Sequence, residues 1–525
     1  MEILLFNPYY TQLRSFYSFV RPVVPLGILY LAGYLRKFGI PCKVYETGIF
    51  DIKDAVNKDE YVRFGRSDKQ LETLIQSENP KIIGITCMYS IYYRDCLELA
   101  KTIKRVNKNI RVVLGGNHAS SYWQTLLLDP AVDIVAIGEG EETFLEICRC
   151  IMEDRSVEAI PGIALKNSSG RIFKTADREL ISDLDSIPFP ALDLVDFREY
   201  LGEGNPFSMR PPAASIISSR GCPGKCVYCT VQAVWGRTWR GRSPENVVSE
   251  MAAIKEKYQI SEFAFLDDSA SINRERWKNL CSEIIRKELN VKWTTPNGIA
   301  HWTLTKEMLQ SMRQAGCYRI TFGIESGCPE TRKFIGKPYS LEQARELIQY
   351  ANKIGMWTIT TNILGFPYEK ADSIKATIDF AKHSGTDFAC FFLLVPQPTS
   401  EVYQYFKKEG LLDIDNFLDT GNISSEEFEK INYILNDAGC NTLYFSKEEL
   451  KKIQKSAYRS FIIHRALTYL FNPLRLIRKV HSREDFFYVL KLLRRGASVF
   501  YRTLNPFNIK SGDFFYADTK KQLQE

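Results

Sequence analysis

Three cysteines, Cys222, Cys226 and Cys229, lie within eight residues of one another in a Cys-x3-Cys-x2-Cys arrangement. Thiolates are soft ligands that bind zinc, copper(I) or iron–sulfur clusters. A structural zinc site usually has four ligands in two separated pairs, and the sequence offers no second pair near this triad. Three thiolates on a [4Fe-4S] cluster leave one iron open, and an open iron is able to bind a substrate or cofactor. The spacing therefore predicts such a cluster, with zinc-binding or buried cysteines as the alternative.

The residues on either side of the triad extend the pattern to Ser-Arg-Gly-Cys-Pro-x2-Cys-x-Tyr-Cys. This segment resembles the signature of the radical SAM superfamily, including members that also carry a cobalamin domain. The resemblance implies that the open iron chelates the amino and carboxylate groups of S-adenosylmethionine (SAM), and that the three cysteines are the metal ligands and the catalytic residues. Residues 216–218, just before the triad, read as the end of a strand. The cysteines are therefore predicted on a loop at the carboxyl end of that strand, where α/β barrels place their chemistry.

Further residues at predicted strand ends are implied by the same resemblance to contact SAM. Tyr228 lies in the region that approaches the adenine, and Asp268 offers a carboxylate to the amino group or to substrate. Glu325 and Ser326 belong to a Gly-Ile-Glu-Ser-Gly segment similar to the element that contacts the SAM ribose and methionine. A glutamate at the mouth of an apolar strand costs desolvation unless it binds something. Gly365 matches the glycine–proline element near the adenine. Packing for Tyr228 and a solvated acid pair for Asp268 are the alternatives.

Short apolar runs alternate with helical patterns through the first 150 or so residues, which predicts a doubly wound parallel sheet. The strands are predicted at 2–7, 41–46, 82–86, 112–114 and 133–137. The helices are predicted at 25–39, 93–106 and 141–152. Ligands of such sheets bind in the crevice at the carboxyl ends of the strands.

Three loops at those strand ends, residues 86–90, 115–119 and 138–143, contain several small residues. Glycine lets the backbone approach a bulky ligand closely. Their order, their spacing and their position before the triad resemble the cobalamin-binding domain of one large branch of the superfamily, where Leu-Gly-Gly-x-His and Gly-Glu-Gly-Glu both occur. The resemblance implies cobalamin contacts from the following residues: Thr86, Ser90, Gly115, Gly116, His118, Gly138, Glu139 and Gly140.

The Asp-x-His-x2-Gly motif, whose histidine ligates cobalt in many cobalamin proteins, is missing from this half of the chain. The resemblance therefore implies cobalamin bound without its own base and without a histidine ligand. We expect His118 to be a loop residue that hydrogen-bonds to the backbone, with direct ligation of cobalt as the alternative. A dinucleotide is a poor fit to the sheet, because its first loop lacks Gly-x-Gly-x2-Gly.

A chain of 525 residues is long enough for two or three domains with separate cores. We predict a cobalamin-binding domain at 1–155, a connector with a small hairpin and a proline-stiffened linker at 156–212, a radical SAM barrel at 213–400 and a mainly helical region at 401–525. The barrel strands are predicted at 215–218, 262–266, 292–295, 319–324, 357–364 and 389–395. This number fits an open (β/α)6 partial barrel, since a closed eight-strand barrel needs two more units.

Composition and charge bound the location and the partners. A chain with 45% hydrophobic and 25% charged residues is typical of soluble globular proteins. The thirteen scattered cysteines fit a reducing cytosol, and neither a signal peptide nor a membrane-spanning run is evident. Residues 451–510 hold 14 Lys and Arg against 2 Asp and Glu. This basic region predicts either peripheral contact with an anionic membrane or a solvated helical face. No nucleic-acid-binding module is evident, so no nucleic acid is expected.

These inferences predict an oxygen-sensitive cytoplasmic enzyme that uses a [4Fe-4S] cluster, SAM and cobalamin. In the family that the chain resembles, SAM cleavage yields a radical that removes hydrogen from an unactivated carbon, and methylcobalamin delivers a methyl group. A methyltransferase is therefore expected, with radical rearrangement or cyclisation as one alternative. A non-catalytic cobalamin sensor is another, although it has no need of an open iron. The expected partners are a small-molecule or lipid-like substrate and an external electron donor such as flavodoxin or ferredoxin.

Overall fold

The computed structural model describes residues 2–13, 24–48, 56–58, 61–167, 169–196, 200, 208–337, 339–397, 399–412 and 439–504. Two parts of the predicted C-terminal helical region, residues 413–438 and 505–525, therefore lie outside the described residues. Two large sheets dominate the rest, one formed early in the chain and one in its middle. The loops that are predicted to bind cofactors lie at the edges of these two sheets.

The first large sheet has seven strands in the order β10-β9-β8-β7-β6-β1-β3. The strands of this half are β1 (Ile3–Asn7), β2 (Tyr10–Leu13), β3 (Lys43–Glu46), β4 (Val56–Lys58), β5 (Tyr61–Phe64), β6 (Ile82–Thr86), β7 (Arg111–Gly115), β8 (Ile134–Ala136), β9 (Ile163–Lys166) and β10 (Ile172–Lys174). The strands β3, β1, β6, β7 and β8 are parallel neighbours, which confirms the predicted parallel sheet. The small antiparallel sheet β2-β5-β4 is an addition that the apolar pattern does not predict.

Helices cover both faces of this sheet, as a doubly wound fold requires. They are α1 (Leu26–Lys37), α2 (Asp68–Glu78), α3 (Tyr93–Val106), α4 (Asn117–Ser121), α5 (Trp123–Leu126) and α6 (Gly140–Met152). Ile3 and Leu5 of β1 pack on the side of α1 and α6, whereas Leu4 and Phe6 pack on the side of α2 and α3. A strand buried on both faces reads as a continuous apolar run, which is why β1 is recognisable in the sequence.

The predicted connector hairpin forms β9 and β10, and it joins the edge of the first sheet. Strand β9 pairs with β8 in the antiparallel sense, and β10 pairs with β9. An edge strand leaves backbone N–H and C=O groups unpaired, and the hairpin satisfies those of β8. The first sheet is therefore mixed, with five parallel strands and an antiparallel pair at one edge.

The second large sheet has six parallel strands in the order β11-β14-β15-β16-β17-β18. The strands of this half are β11 (Ala213–Ile216), β12 (Ser219–Arg220), β13 (Arg240–Gly241), β14 (Glu262–Phe265), β15 (Lys292–Ile299), β16 (Cys317–Glu325), β17 (Trp357–Leu364) and β18 (Phe388–Leu393). The helices are α7 (Gln232–Trp235), α8 (Pro244–Tyr258), α9 (Arg274–Arg286), α10 (Lys306–Gln314), α11 (Pro329–Ile335), α12 (Leu341–Lys353), α13 (Ala371–His383) and α14 (Glu401–Lys408). Sequential parallel strands joined through helices confirm the predicted (β/α)6 arrangement.

The described chain after residue 439 is helical, as predicted. It forms α15 (Lys447–Phe471), α16 (Leu474–Ile477) and α17 (Arg483–Leu504). Helix α15 begins with a capping box between Ser446 and Glu449 and packs Leu450 and Phe461 against Phe391 of β18. None of the helices in the described residues has the length and apolar character to cross a membrane.

One apolar core runs through both large sheets. It joins residues of α1 and α6 to buried residues of the connector, such as Leu184 and Ile187, and to α8 and α9 of the second half. The contact is close at Gly33 of α1, where a Cβ atom would lie 2.7 Å from the carbonyl oxygen of Phe189. The proline-rich part of the connector is thus a packed element rather than a free linker.

Candidate active site

The loop that contains the three cysteines begins and ends in a two-stranded antiparallel ladder. Ser219 of β12 pairs with Gly241 of β13, and Arg220 pairs with Arg240. The first loop residue, Gly221, has a φ of +84°, and a Cβ atom there would lie 2.1 Å from the carbonyl oxygen of Thr238. Only glycine tolerates both the positive φ and the close carbonyl oxygen, so the base of the loop requires glycine between Arg220 and Cys222.

All three cysteines are unpaired and half-buried. The N–H of Gly224 donates towards Cys222 Sγ over 3.4 Å, and a Cβ atom on this glycine would lie 3.2 Å from that sulfur and 3.8 Å from Cys226 Sγ. Burial raises the pKa of Cys226 to about 11 and also raises the pKa of Cys229, while the nearby Lys337 ammonium opposes both shifts.

The donor set fits an anionic iron–sulfur cluster in its chemistry: three free thiols, a backbone N–H aimed at sulfur and a buried cation. Among the described residues, no three His, Cys, Asp or Glu side chains are already arranged around one metal position.

The cysteine loop is held from two neighbouring elements of the second sheet. The N–H of Val227 donates to the carbonyl of Ile335 at the end of α11, over 3.1 Å. The carbonyl of Val227 accepts the N–H of Val402 at the start of α14, over 2.8 Å. The Val227 side chain is buried with Phe366 and Val402. These contacts place the loop over the carboxyl ends of β16, β17 and β18.

Glu325 ends β16 in a strained and buried position. Its φ is +59°, which is rare for a residue with a side chain, and such strain tends to be retained at functional sites. Its Oε1 lies 2.5 Å from Nζ of Lys337, and each side chain is only 9% exposed. Gly323 makes room for the pair, since a Cβ atom there would lie 2.8 Å from Glu325 Oε1 and 3.0 Å from Lys337 Nζ.

Lys337 also links Glu325 to the cysteines. Burial alone would lower the pKa of Lys337, but the Glu325 carboxylate and the thiols of Cys226 and Cys229 outweigh burial and raise it. The lysine is therefore a charged ammonium. Burial, with the charge and hydrogen bond of Glu325 added, raises the pKa of Tyr228 well above its usual value. The predicted residues Tyr228 and Glu325 thus meet beside the cysteine loop, and Lys337 joins them although no sequence pattern marks it.

Asp267 and Asp268, the two acidic residues that follow β14, have different surroundings. Asp267 is buried and accepts hydrogen bonds from the hydroxyls of Ser218 and Ser219, at 2.8 and 2.5 Å. Asp268 is exposed and accepts the N–H of Gly221 over 3.2 Å. The first carboxylate holds the strand end, and the second lies at the cysteine loop with capacity for a further hydrogen bond.

Two other residues implied to contact SAM are held by the protein itself. Ser326 is fully buried, and its hydroxyl contacts Thr377 Oγ1 at 3.1 Å and accepts the N–H of Cys328. Its hydroxyl is thus engaged by protein groups, and the contact of Ser326 with SAM stays a prediction. Gly365 has a φ of +93°, and its N–H donates to Glu369 Oε2 over 2.8 Å. Burial raises the pKa of Glu369 to about 7. No sequence pattern predicts a role for this residue.

The loops at the carboxyl edge of the first sheet contain buried polar atoms with no protein partner. Thr86 and Gly115 are register partners at this edge. His118 is buried between the rings of Tyr93 and Tyr122, at 5.3 and 4.5 Å between centroids. Its Nδ1 lies 2.9 Å from the Ser90 hydroxyl, so its partner is this side chain rather than the expected backbone group.

Within the described residues, His118 Nε2 and the side-chain oxygen of Asn117 are buried without a hydrogen-bond partner. Buried polar atoms are normally paired, so these two fit a site completed by a polar ligand. Burial lowers the pKa of His118 to about 3, and the ring is neutral. Gly116 has a φ of +109° and lies against the Cys87 carbonyl, which a Cβ atom would approach to 3.0 Å. The neutral imidazole and the open glycine loop fit the large cobalamin ligand.

The Gly-Glu-Gly-Glu segment is held by contacts within the protein. The N–H of Gly138 donates to Ser120 Oγ over 3.0 Å, which ties this loop to α4. Gly140 allows α6 to approach α1, since a Cβ atom would lie 2.9 Å from Leu31 Cδ2. Its lack of a side chain therefore serves helix packing. Glu139 is engaged by protein groups, and its contact with cobalamin stays a prediction.

The carboxylates of Glu139 and Glu141 bind two arginines at the base of the cysteine loop. Glu139 Oε1 lies 2.7 Å from Arg220 Nη1, and Oε2 lies 2.8 Å from Arg240 Nη1. Glu141 Oε1 lies 2.5 Å from Arg220 Nη2. Every side chain in this network is at most 10% exposed. Helix α4 also packs against α7 of the cysteine loop. The two sets of predicted loops thus face each other.

Two family models match separate parts of the chain. Residues 18–148 match the B12 binding domain, and residues 216–381 match the Radical SAM superfamily. The first match covers the glycine-containing loops, and the second covers the cysteine loop and Glu325. The order of the two matches is that predicted from the sequence.

Relatives extend the similarity over most of the chain. An uncharacterized methyltransferase of Pyrococcus horikoshii is 30% identical over 90% of this chain and 93% of its own length. The cytidylyl-2-hydroxyethylphosphonate methyltransferase of Streptomyces wedmorensis is 30% identical over 79% of this chain and 84% of its own. The solved structure of TsrM, a radical S-adenosylmethionine methyltransferase from Kitasatospora setae, has a TM-score of 0.66 at 18% identity and covers 88% of this chain and 89% of its own. The structural likeness shows a common fold.

Proposed function

The chain belongs to the radical SAM superfamily, in the branch that carries a B12-binding domain, and we propose from this that it methylates an unactivated carbon of a small molecule. It is a radical SAM enzyme whose cofactors are a [4Fe-4S] cluster, SAM and cobalamin. The observation that carries the proposal is the meeting of the cysteine loop with the glycine-containing edge of the first sheet, where Glu139 and Glu141 bind Arg220. Transfer of a methyl group from cobalamin to a substrate radical formed beside the cluster requires the two cofactor sites to face each other.

We assign Cys222, Cys226 and Cys229 as the cluster ligands. When bound, the cluster and SAM supply a carbon-centred radical, and cobalamin supplies the methyl group. The loop contacts of Val227 hold the thiols over the barrel. Lys337 places a positive charge beside these anionic ligands and fixes the orientation of the Glu325 carboxylate. Glu325 then offers an acceptor to the SAM ammonium group.

For the remaining SAM contacts, we assign the ring of Tyr228, the backbone around Gly365 and the exposed carboxylate of Asp268. Tyr228 packs edge-to-face with Phe366, which forms an apolar wall suited to an adenine ring. The positive φ of Gly365 exposes backbone at this wall. Asp268 is oriented by the N–H of Gly221.

For cobalamin, we assign the loop residues that surround the unpartnered polar atoms: Thr86, Ser90, Gly115, Gly116, His118 and Gly138. His118 serves as a neutral hydrogen-bonding residue. Its stacking between two tyrosine rings fixes the imidazole, and Ser90 holds Nδ1. A buried imidazole with these constraints suits an amide or hydroxyl of the cobalamin periphery better than the cobalt ion.

We expect His118→Ala to bind cobalamin more weakly, by about tenfold, without a change in the ligands of cobalt. A hydrogen bond lost from a buried site is worth about 1 kcal/mol or somewhat more. The measurement is the electron paramagnetic resonance spectrum of cobalt(II), in which a coordinated nitrogen splits each cobalt line into three. Such a splitting in the unsubstituted protein, lost in His118→Ala, would contradict the assignment and make His118 an axial ligand.

The methylation itself is tested with methyl-labelled SAM. The anaerobically reconstituted protein is incubated with this SAM, a reductant and an extract of its source cells, and the products are analysed by mass spectrometry. A small molecule that gains the labelled methyl group identifies the substrate. Consumption of SAM with a rearranged, unlabelled product instead indicates radical rearrangement or cyclisation. Cobalamin binding without consumption of SAM, even with substrate present, indicates a sensor.

Radical SAM enzymes in general act on small molecules and take electrons from an external reductant. For this chain we propose flavodoxin or ferredoxin as the donor and a lipid-like substrate. The support for the substrate class is an apolar corner, defined here as Leu470, Phe471, Leu474 and Ile477 at the end of α15 and along α16. These side chains are 71%, 82%, 57% and 61% exposed, and the exposed Arg478 adjoins them. Apolar side chains beside basic ones suit the surface of an anionic membrane.

We expect the apolar corner to bind vesicles that contain anionic lipid and to release them at high salt, because salt screens the electrostatic part of the attraction. Replacing Leu470 and Phe471 by serine should reduce binding at least tenfold, since about 0.8 kcal/mol is lost for each buried methylene group. The measurement is vesicle flotation, with Ile285→Ser on α9 as a matched control, since Ile285 is 45% exposed. Absence of binding at low salt would contradict contact with a membrane and favour the alternative, a solvated helical face.

A further inference from the structure

We propose that Glu139, Glu141, Arg220 and Arg240 form a clamp that fixes the cysteine loop in position relative to the cobalamin loops. The four are positioning residues, because they act through the loops that they join. The inference rests on the proposed function, since it takes the cluster and cobalamin to occupy the two sites. It assigns to the Gly-Glu-Gly-Glu segment a task other than contact with cobalamin.

The first step concerns the charges at the base of the cysteine loop. Arg220 and Arg240 are register partners on β12 and β13, and each of these strands has only two residues. Like charges directly opposite one another destabilise a ladder, and so short a ladder is weak by itself. Glu139 removes the repulsion by giving one carboxylate oxygen to each arginine. The ladder at the base of the cysteine loop therefore depends on Glu139, which lies between β8 of the first sheet and α6.

The second step concerns burial. The clamp contains two carboxylates and two guanidinium groups, so its formal charge is zero. Its side chains are between 2% and 10% exposed. Buried ion pairs of this kind contribute little net stability compared with apolar residues, but each fixes the geometry of its partners. An ion-pair network in the core between two sheets thus specifies position more than it adds to stability.

The third step concerns what the clamp connects. Arg220 is separated from Cys222 by Gly221 alone. Glu139 directly follows Gly138, whose N–H is held by Ser120 of α4, the helix that begins in the loop of His118. The clamp therefore joins the cysteine loop to two of the cobalamin loops through very few rotatable bonds. A shift of one loop changes the position of the other.

Rings on both sides restrict the guanidinium groups further. The Arg220 guanidinium lies 5.5 Å from the Trp235 ring and 5.8 Å from the Tyr30 ring, and that of Arg240 lies 5.9 Å from Trp235. Trp235 belongs to α7 inside the cysteine loop, and Tyr30 belongs to α1 under the first sheet. The N–H of Ile181 also donates to Glu139 Oε2 over 2.8 Å, which adds the connector. The clamp is thus held by the cysteine loop, by α1 of the first half and by the connector.

The test measures the relative position of the two cofactors without using enzyme activity. Protein reconstituted with both is prepared with cobalt(II) and the reduced cluster, and their spin–spin interaction is measured by pulsed electron paramagnetic resonance. Glu139→Gln removes the shared charge at nearly constant shape. The matched control is Asp387→Asn, since Asp387 forms an equally buried 2.8 Å pair with Lys479 in the second half, away from both loops. Iron and cobalamin contents are measured in parallel.

We expect Glu139→Gln to keep both cofactors and to broaden the distribution of the spin–spin interaction to at least twice the wild-type width. Asp387→Asn should match the wild type. An unchanged interaction in Glu139→Gln would overturn the proposal. Selective loss of cobalamin in this variant would overturn it as well, because it would place Glu139 in contact with the corrin. Failure of the wild type itself to hold iron and cobalamin would count against the proposed function instead.

A double variant separates positioning from stability. Glu139→Gln combined with Arg240→Gln removes both charges, leaves the Arg220–Glu141 pair, and should regain most of the thermal stability lost in Glu139→Gln. A clamp predicts that the spin–spin interaction stays broadened in this double variant. Recovery of both stability and the wild-type interaction would reduce the network to a structural contact and overturn the proposal. If Glu139→Gln does not fold, the double variant and Glu141→Gln provide the same comparison.

Discussion

Alanine at Cys222, Cys226 or Cys229 is expected to abolish the cluster, so that the anaerobically purified protein loses its brown colour and nearly all of its iron. The unsubstituted protein should contain about four iron atoms per chain, as one cubane requires. Each cysteine is one of only three thiolates, and two thiolates leave half of the iron atoms without a protein ligand. SAM cleavage should fall to background in all three variants, because electrons reach SAM only through the cluster.

Cys317→Ala is the matched control for the triad. Cys317 begins β16 at the amino end of the sheet, is fully buried, and directs its thiol towards the carbonyl of Arg319 at 3.6 Å. Its loss removes a small apolar group and leaves the cysteine loop intact, so the iron content should be unchanged. Zinc in place of iron after reconstitution of the unsubstituted protein, or equal iron in the triad variants and the control, would refute the assignment of the cluster.

Glu325→Gln should lower the rate of SAM cleavage about a hundredfold while the optical spectrum of the cluster is retained. A charge-assisted hydrogen bond is worth about 1.5–3 kcal/mol, which corresponds to roughly 10- to 150-fold. The substitution also leaves Lys337 buried without its anionic partner, 2.5 Å from the new amide. SAM affinity, measured by equilibrium binding, should weaken together with the rate.

The control for Glu325 is Glu262→Gln at the other end of the barrel. Glu262 begins β14, is 2% exposed, and accepts the hydroxyl of Tyr318 over 2.6 Å. This substitution perturbs a buried carboxylate of the same sheet far along the strands from the cysteine loop, so SAM cleavage should stay near the wild-type rate. An equal loss in both variants would indicate a general effect on the barrel. An unchanged rate in Glu325→Gln would remove Glu325 from the site.

Elements with strong local patterns were predictable from the sequence. Strand β17 has the predicted bounds, 357–364, because its residues are mostly β-branched and lie between a glycine turn and Gly365. Helix α3 also has its predicted bounds, since its apolar residues repeat with helical spacing. The order of the two sheets followed from the alternation of such elements.

Contacts between distant residues were not predictable in this way. Glu139 and Arg220 are 81 positions apart, and neither position alone shows that the carboxylate binds an arginine. Lys337 lies in a loop with no periodic pattern, and its role depends on the path of the chain past Glu325. Ser326 belongs to a motif that resembles a SAM contact, but its neighbour Thr377 comes from α13. Side-chain partners of this kind depend on tertiary packing.

The single apolar core that passes from α1 and α6 through the connector to α8 and α9 has a thermodynamic consequence. Neither half is able to melt without exposing apolar surface of the other, so the unfolding of one half is coupled to the unfolding of the other. A ligand that binds only the folded state of one half raises the free energy of unfolding of that half and, through the shared core, that of its neighbour. Occupancy of the cobalamin site thus lends stability to the barrel, and occupancy of the barrel lends stability to the first sheet.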